Sequence, residues 1–556
     1  MTKNIFLYTK NILKEFGELV KIFLTLKKKK SIIFLFFISL IVIFFESYTL
    51  AIVFSLSNLI VNSDFESSNY LLTWILNKFD LDDFKPSLII IITLLLFVFF
   101  KNIVLLFVIF FRNNFFIKLQ LKISNKMFNK FISQNYQFFI DKNSSKLISM
   151  ITQDVSLSMR GFEAMFNILI ELLMILGIFS YLIYMDKEVA LLFFIGCTLF
   201  FIFHTFFTKK KLVNLGNERM IINQEILKNL QQSFSSFREL IIYNVQKIFS
   251  ELINEKFYKF FQNIKLSSLL QQTVRVLIEQ IFIIFVIIAF LIMNYILSKT
   301  ILEIIPIFAV YLFAFLRILP SLNKLIIETQ TYVFSKIFIK KAHLNLNLDN
   351  KKIRKILDVN LFNKEIKFNN VSYSYSEKND NILDNLNLKI TKNQKIGIVG
   401  ESGSGKTTIL NLIMGFLNPK HGKITIDDFS LNDYLTNWQS LLAYVPQSVT
   451  ILDDTLKMNI TFERNDNLID FKRLNKAIEI SGLSKFVSSN KQSLEMIIGE
   501  KGSKISGGQI LRVGLARAFY SRAEVFILDE FTSSLDEKLE NEILDTIKKI
   551  DKTFII

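Results

Sequence analysis

The stretch that decides the fold of the second half of this chain is Gly400-Glu-Ser-Gly-Ser-Gly-Lys-Thr407, which fits the phosphate-loop pattern G-x-x-x-x-G-K-[ST]. The run 395–399 before it predicts a strand, and 407–416 after it predicts a helix. In this setting the glycines let successive backbone N–H groups point at phosphate oxygens, and the helix dipole adds to the attraction. The motif therefore predicts a nucleotide site in which Lys406 reaches the β- and γ-phosphates and the Thr407 hydroxyl ligates Mg²⁺.

A second motif supplies two carboxylates at the end of a strand. Val525-Phe-Ile-Leu-Asp529-Glu530 begins as an unbroken apolar run, typical of a buried strand, and ends in its two acidic residues. We assign Asp529 to Mg²⁺ and Glu530 to the polarisation of an attacking water, as catalytic base. Together the two motifs predict an ATPase that uses ATP and Mg²⁺.

Composition separates this part of the chain from the rest. Of the 17 glycines in 556 residues, 12 fall between Gly397 and Gly514, where the backbone must turn tightly and approach a ligand closely. Over the whole chain 51% of the residues are hydrophobic, and 59 are Phe. A soluble protein cannot bury so much apolar side chain, so a large part of the chain must lie in lipid.

The first 340 residues contain six apolar stretches, each near the roughly 20 residues that cross a bilayer as a helix. Four lysines at 27–30 precede the first stretch, and the loop 61–85 carries five acidic but only two basic residues. Because basic residues mark cytoplasmic segments, we place the N-terminus and the phosphate loop in the cytoplasm. The predicted spans are 31–53, 87–111, 162–184, 189–207, 276–297 and 301–319.

Two long charged loops between the spans keep helical periodicity and contain no proline. They cover 112–161 and 208–275, and we interpret them as extensions of the membrane helices into the cytoplasm. Two independent soluble insertions are the alternative. The net charge of +17 is typical of such cytoplasmic segments, so we expect no nucleic-acid partner. The single cysteine, Cys197, excludes a disulfide within the chain.

Between the two phosphate motifs lies Ile505-Ser-Gly-Gly-Gln509, followed by Leu515-Ala-Arg-Ala518. Here the sequence resembles the ATP-binding cassette (ABC) family, whose signature is usually Leu-Ser-Gly-Gly-Gln; Ile505 is a departure. The resemblance implies that Ser506 and Gly508 contact the γ-phosphate held by another subunit. On this view two cassettes are required, and the chain works as a homodimer.

The resemblance also assigns residues outside the signature. Tyr375 would stack on adenine, Gln447 would touch Mg²⁺ and the lytic water, and Asp536 would cross the dimer interface. The catalytic residues are then Glu530 and Gln447, and the metal ligands are Thr407, Gln447 and Asp529. The full predicted ATP-binding set is Tyr375, Gly400, Ser402, Gly403, Ser404, Gly405, Lys406, Thr407, Thr408, Gln447, Ser506, Gly508 and Asp536.

Six spans ahead of one cassette is similar to the layout of an ABC exporter half-transporter. The implied fold is an all-α polytopic membrane domain over 1–340, a linker over 341–364 and an α/β P-loop cassette over 365–556. The runs 139–148 and 233–240 resemble the coupling-helix regions that dock on the cassettes.

Four basic residues within or near the ends of the spans bear on the substrate. A charge in lipid costs about 2.5–3.5 kcal/mol on insertion scales, so such residues usually face a cavity or a partner. One interpretation is a basic cavity for an anionic head group. Structural pairing with Glu46, Glu171, Glu279 or Glu303 is the alternative, and snorkelling is a further one near span ends. The four residues are Lys101, Arg275, Arg317 and Lys324.

Two further features resemble bacterial flippases for lipid-linked oligosaccharides. The segment 69–79 outside the membrane is aromatic and apolar, and 315–324 is similar to the sixth-span pattern of that subgroup. The resemblance implies ATP-driven export or flipping of an anionic, polyprenyl-pyrophosphate-linked saccharide across the bacterial inner membrane. An exporter of another lipid or of a peptide is the alternative.

The sequence departs from the family pattern after the final predicted strand, 553–556. Family cassettes place a histidine that contacts the γ-phosphate just beyond this strand, and His204, His343 and His421 do not match that position. We therefore expect a cassette that lacks its C-terminal end. An incomplete gene, a frameshift, and a genuine ATP-binding membrane protein with little hydrolysis are the three explanations.

Overall fold

The computed structural model describes residues 29–62, 86–185, 187–291, 301–348, 361–375, 381–401, 403–488, 494–531 and 537–556. The chain divides into two compact units. The membrane unit comprises Met1–Ile132 and Lys142–Asp349, and the cassette unit comprises Ser133–Asp141 and Asn350–Ile556. The predicted boundaries at 340 and 364 stay predictions, and much of the linker between them lies outside the described residues.

Long helices build the membrane unit. The longest, α2 and α6, contain 47 and 49 residues, so each is about 70 Å long, more than twice the roughly 30 Å of a bilayer core. A π-helical turn, Met150–Asp154, joins α4 to α5. The helices up to residue 346 are α1 (Lys29–Asn62), α2 (Pro86–Ile132), α3 (Tyr136–Asp141), α4 (Ser144–Ser149), α5 (Val155–Met185), α6 (Lys187–Ser235), α7 (Phe237–Ile242), α8 (Gln246–Leu291) and α9 (Ile301–Leu346). Of these, α3 belongs to the cassette unit and the others belong to the membrane unit.

Five helical segments among the described residues are long and apolar enough to cross a bilayer, and they overlap five of the six predicted spans. The remaining predicted span, 189–207, lies within α6 and stays a prediction. Lysines 27 and 28, most of the loop 61–85 and the segment 69–79 lie outside the described residues. The five segments are Phe36–Val53, Ile91–Ile132, Ser144–Tyr184, Gln246–Phe285 and Phe308–Leu346.

The interior of the membrane unit lies mainly between α5 and α9. Ile178 and Phe179 of α5 pack with Ala314 and Ile318 of α9 in one apolar cluster. Gly161 allows a second close approach, because an added Cβ there would lie 2.7 Å from the Cβ of Ser335. By contrast, one face of α2 leaves large apolar side chains exposed, as a lipid-facing helix does. They include Leu95, Phe99, Leu106 and Phe110.

The cassette unit is an α/β domain with two four-stranded sheets. One sheet is antiparallel, in the order β2-β1-β4-β5, and the other is parallel, in the order β3-β8-β7-β6. The strands are β1 (Glu365–Tyr373), β2 (Leu383–Thr391), β3 (Lys395–Ile396), β4 (His421–Ile426), β5 (Phe429–Ser430), β6 (Leu442–Val445), β7 (Val525–Leu528) and β8 (Thr553–Ile555). The helices are α10 (Lys406–Ile413), α11 (Leu435–Ser440), α12 (Leu456–Thr461), α13 (Phe471–Ile480), α14 (Ser484–Ser488), α15 (Gly507–Tyr520) and α16 (Glu537–Lys549).

The parallel sheet positions the predicted nucleotide site. All four residues of β7 are buried, as the apolar run 525–528 predicts. Val445 of β6 pairs with Leu528 of β7, so the two strands end side by side at their carboxyl ends. Ligands of open parallel sheets bind outside these ends, because the loops that leave them converge there. Parallel packing thus brings together segments separated by about 80 positions along the chain.

Candidate nucleotide site

The phosphate loop has the backbone geometry that its glycines predict. It runs from β3 to the N-terminus of α10, and Gly403 and Gly405 have φ angles of 86° and 92°. These left-handed conformations favour glycine. At Gly400 an added Cβ would lie 2.7 Å from the Ser404 Oγ, so a side chain there would crowd the loop. Ser402 lies outside the described residues.

Lys406 and Thr407 stand where the loop meets α10. The Lys406 ammonium lies in the curve of the loop and donates to the carbonyl oxygens of Gly400 at 2.6 Å and Glu401 at 3.0 Å. Thr407 is exposed at the first turn of α10, whereas Thr408 is buried. A cation, an exposed hydroxyl and a helix N-terminus thus occur together at one end of the loop, and these are the groups that bind phosphates.

Glu530, the second of the two predicted carboxylates, lies next to Gln447. The Gln447 side-chain amide donates to Oε2 of Glu530. Glu530 itself has a φ of 49°, an uncommon conformation for a residue other than glycine, and its side chain is exposed. The N–H of Asp529 donates to the carbonyl of Val445 at 2.9 Å, which continues the pairing of β6 with β7 beyond the strand ends.

The surroundings of Asp529 raise the pKa of its carboxyl group. Burial is the main cause and the neighbouring Glu530 adds to it, while a hydrogen bond from Tyr444 and the charge of Lys406 act in the opposite direction. The Tyr444 hydroxyl donates to Oδ2 of Asp529 at 3.4 Å. Burial also raises the pKa of Tyr444 to about 12, with smaller contributions from Asp529 and Tyr136. Lys406 and Asp529 are therefore close enough to influence each other.

These residues fit a magnesium ion that is held partly by the nucleotide. Among the described residues, no group of three or more His, Cys, Asp or Glu side chains surrounds a common point. Mg²⁺ commonly uses one or two protein oxygens together with phosphates and water. The half-buried carboxylate of Asp529 and the exposed Thr407 hydroxyl are a suitable donor pair for such an ion.

Tyr375, predicted to stack on adenine, lies next to α10. Its ring is about half exposed, meets the Tyr373 ring edge to face at 5.2 Å, and brings its hydroxyl to 3.4 Å from Thr408 Oγ1. An aromatic face is therefore available beside the phosphate loop. Stacking on adenine stays a prediction.

The signature segment begins α15. Ser506 is the N-cap: its Oγ accepts from the Gln509 N–H at 3.3 Å, and the Gln509 side chain accepts from the Ser506 N–H at 2.9 Å. This reciprocal capping box satisfies two N–H groups that a helix start leaves unpaired. Ser506 is exposed and Gly508 is partly exposed, so the helix start is accessible. Asp536 lies outside the described residues.

We expect Ser506→Ala to destabilise the cassette unit by about 1 kcal/mol, because the N-cap acceptor is lost. Amide hydrogen exchange of the first turn of α15 measures the effect. Ser506→Asp is the matched variant: it keeps a cap acceptor but places a negative charge where a phosphate is predicted. It should retain the protection of α15 and lose the ATP-dependent dimerisation that the family resemblance implies. If Ser506→Ala exchanges no faster than the parent, the cap contributes nothing.

Arg517 has a structural role that the motif did not predict. Its guanidinium donates to the carbonyls of Asn459 at 2.9 Å and Thr450 at 3.1 Å, and it lies 4.4 Å from the centre of the Phe462 ring. The arginine therefore ties α15 to α12 and to the loop that follows Gln447. The sequence contained no signal for these partners, because every residue has a backbone carbonyl whatever its side chain.

Three of the four basic residues predicted near the spans are paired with acids. The Lys101 Nζ lies 2.7 Å from Oε2 of Glu46, and the Arg317 Nη1 lies 3.0 Å from Oε1 of the same carboxylate. Lys324 Nζ lies 2.5 Å from Oε1 of Glu171. Two of the acids considered as partners are thus confirmed as partners. The side chains of Arg275 and Glu303 lie outside the described residues.

These pairs differ in how much of each cation remains accessible. The side chain of Lys101 is 4% exposed, that of Arg317 is 31% exposed and that of Lys324 is 45% exposed. Arg317 also lies over the Phe313 ring, at 5.5 Å from its centre. Lys101 is therefore enclosed with Glu46, whereas Arg317 and Lys324 keep surface that another molecule can reach.

Comparison with known proteins agrees with the cassette motifs. Residues 383–533 match the ABC transporter family. An ATP-dependent lipid A-core flippase of Blochmanniella pennsylvanica is 37% identical over 215 residues, which is 38% of this chain and 37% of that protein. A second such flippase, from Yersinia pestis, is 24% identical over 460 residues, covering 78% of this chain and 75% of that protein.

Other matches concern one part of the chain or the fold. A protein of Rickettsia prowazekii named as an export ATP-binding/permease protein is 38% identical over 193 residues, so this chain spans about a third of the length of such curated relatives. A solved bacterial Atm1-family ABC exporter with ATP bound superimposes with a TM-score of 0.76 at 17% identity, covering 95% of this chain and 91% of that one. Residues 383–533 therefore form an ABC transporter domain, which implies ATP binding, and the chain has the fold of the solved ABC exporter: a helical membrane domain followed by one cassette.

Proposed function

We propose that two copies of this chain form an ABC exporter that hydrolyses ATP to move a lipid across the bacterial inner membrane. The observation that carries the proposal is the convergence of Lys406, Asp529, Glu530 and Gln447 at the carboxyl ends of the parallel strands. Flippases of lipid A-core are among the relatives that align with most of the chain. The cassettes and the N-terminus would lie in the cytoplasm.

In this proposal each residue of the site has a defined task. The backbone N–H groups of the phosphate loop and Lys406 bind the β- and γ-phosphates, and Glu530 accepts a proton from the attacking water while Gln447 holds its carboxylate. Mg²⁺, held by Thr407, Asp529 and Gln447, would neutralise charge on the phosphates. Ser506 and Gly508 would complete the site of the other copy.

The second segment that resembles a coupling region suits a partner subunit. The short helix α7 and its flanks leave large apolar side chains exposed in the membrane unit, and such a cluster favours a protein contact over water. In the proposed homodimer this cluster docks on a cassette. Its members are Phe234, Phe237, Ile241, Ile242 and Tyr243.

For the substrate we propose an anionic lipid, and specifically a polyprenyl-pyrophosphate-linked oligosaccharide. Arg317 and Lys324 are two helical turns apart on α9, so they lie on one face and about 10 Å apart along the axis. Both keep exposed surface, and a guanidinium with one carboxylate contact has further N–H groups for a phosphate. Lys101 would act through Glu46, which it helps to hold.

The experiment that tests the substrate is ATPase turnover in nanodiscs with added lipid. We expect Arg317→Gln and Lys324→Gln each to raise the half-stimulating concentration of a polyprenyl-pyrophosphate glycan at least about tenfold, since a hydrogen bond to a charged group contributes about 1.5–3 kcal/mol. Basal turnover should change little. Lys340→Gln, an exposed position on the same helix, is the control.

The choice of lipids separates the alternatives. Stimulation by lipid A but not by the polyprenyl glycan would replace the proposed saccharide with another lipid. Equal losses of basal and stimulated turnover in both variants would instead assign Arg317 and Lys324 to structure. No ATP turnover by the parent under any lipid condition would contradict the proposed transport activity itself.

A further inference from the structure

One short helix that follows α2 is part of the cassette unit. This helix, α3, carries Tyr136, whose ring stacks on that of Phe416 with centroids 4.8 Å apart and planes inclined by 26°. Phe416 lies just after α10, the helix that begins at the phosphate loop. Phe416 and Tyr444 both pack against the same apolar core, beside β7. Tyr136 therefore contacts a residue of the core against which Tyr444 packs, and it lies close enough to Tyr444 to influence the Tyr444 hydroxyl.

Tyr444 connects this aromatic group to the predicted metal ligand. It lies on β6, and its hydroxyl donates to Oδ2 of Asp529 at 3.4 Å. The backbone beside it is fixed as well, because the Asp529 N–H bonds to the carbonyl of Val445. The contact to Oδ2 leaves Oδ1 for an ion. Partners that hydrogen-bond to a metal-ligating carboxylate orient it and adjust its affinity for the ion.

We propose that Tyr444 is a positioning residue that links α3 to the metal end of the nucleotide site by holding the carboxylate of Asp529. The inference rests on the proposed assignment of Mg²⁺ to Asp529. A shift of α3 would move the rings of Tyr136 and Phe416 and change the direction of the Tyr444 hydroxyl. Because coupling between two sites acts in both directions, binding of the nucleotide with its metal ion at Asp529 favours one position of α3. Nothing in the phosphate or signature motifs requires a tyrosine at this position.

The first test separates metal affinity from nucleotide affinity in the full chain. Mn²⁺ binding is measured by electron paramagnetic resonance with the non-hydrolysable analogue AMP-PNP, and AMP-PNP binding is measured separately in EDTA. We expect Tyr444→Phe to weaken Mn²⁺ binding about tenfold, the size of effect typical of such outer partners. Affinity in EDTA should stay unchanged. Tyr434→Phe, whose ring packs against Phe429, is the control and should change neither.

The second test follows α3 itself by hydrogen exchange. In the parent, Mn²⁺ with AMP-PNP should slow exchange in 136–141 relative to AMP-PNP in EDTA, and this difference should disappear in Tyr444→Phe. Tyr136→Leu, which leaves Tyr444 and Asp529 intact, should also abolish the difference. This second variant keeps the test decisive if Tyr444→Phe folds poorly.

Two outcomes would overturn the inference. One is parental Mn²⁺ affinity and parental protection of α3 in Tyr444→Phe. The other is an equal loss of Mn²⁺ and metal-free nucleotide binding, which would make Tyr444 a general structural residue. Failure of the proposed site is a different result: Asp529→Asn would then bind Mn²⁺ as the parent does, and the metal assignment itself would be wrong.

Discussion

Glu530→Gln should lower the rate of ATP hydrolysis at least a hundredfold, about the smallest contribution that a positioned general base makes. The substitution keeps the shape of the side chain and an oxygen that the Gln447 amide can still reach, so the phosphate loop should bind ATP as before. Only the capacity to accept a proton from water is lost. Because bound ATP would then persist, the two cassettes of the proposed homodimer should stay closed on each other.

Phosphate release by the purified chain in detergent measures the rate, and crosslinking between copies with ATP and Mg²⁺ measures closure. Glu479→Gln is a suitable control, since this exposed acid on α13 lies in the same domain. We expect the control to turn over like the parent and to open again as ATP is consumed. Parental turnover in Glu530→Gln would mean that another group acts as the base.

Glu46→Ala should destabilise the membrane unit by about 3–5 kcal/mol. Its carboxylate neutralises two cations at once, with Lys101 at 2.7 Å and Arg317 at 3.0 Å, and it is almost fully buried. Removing it leaves the enclosed ammonium of Lys101 without its partner in an apolar environment, where an unpaired charge is costly. The free-energy cost of leaving Arg317 without Glu46 should be smaller, because part of the Arg317 side chain is exposed.

The unfolding temperature of the chain in detergent measures this loss. Glu188→Gln, an exposed acid at the start of α6, should leave it unchanged. The double variant Glu46→Gln with Lys101→Met removes a charge of each sign and should recover much of the stability lost in Glu46→Ala. An unchanged unfolding temperature in Glu46→Ala would show that water already solvates these charges. In that case Lys101 could contribute to the basic cavity for an anionic head group that the sequence predicts.

The cassette illustrates how much of a site can be predicted when backbone geometry and residue type are tied together. Gly403 and Gly405 adopt left-handed φ angles that favour glycine, so the conformation of the loop can be predicted from the sequence alone. The apolar run 525–528 predicts a buried strand, and the structure confirms it. The loop and the end of that strand meet because parallel strands end at a common edge. The predicted helix 407–416 was less accurate, because α10 begins one residue earlier and ends at Ile413.

Side-chain partners were harder to predict, since any acid within a span can pair with any cation. Sequence spacing showed that Lys101 and Arg317 are costly in lipid, but not that they share the carboxylate of Glu46. Tyr444 had no predicted role of its own, because a tyrosine three residues before Gln447 suits the core of a strand equally well. Its contact with Asp529 depends on the register of β6 against β7.

The amino-acid sequence by itself determined the two chemistries of this chain: long apolar helices for lipid, and a glycine loop with paired carboxylates for nucleotide phosphates. Both follow from local constraints, namely the energy of apolar surface in water and the φ angles that only certain residues adopt readily. Only the tertiary structure decided which charges neutralise each other and which tyrosine contacts the carboxylate of Asp529. Such pairings depend on a few ångströms between distant segments, and packing of whole helices and strands sets those distances.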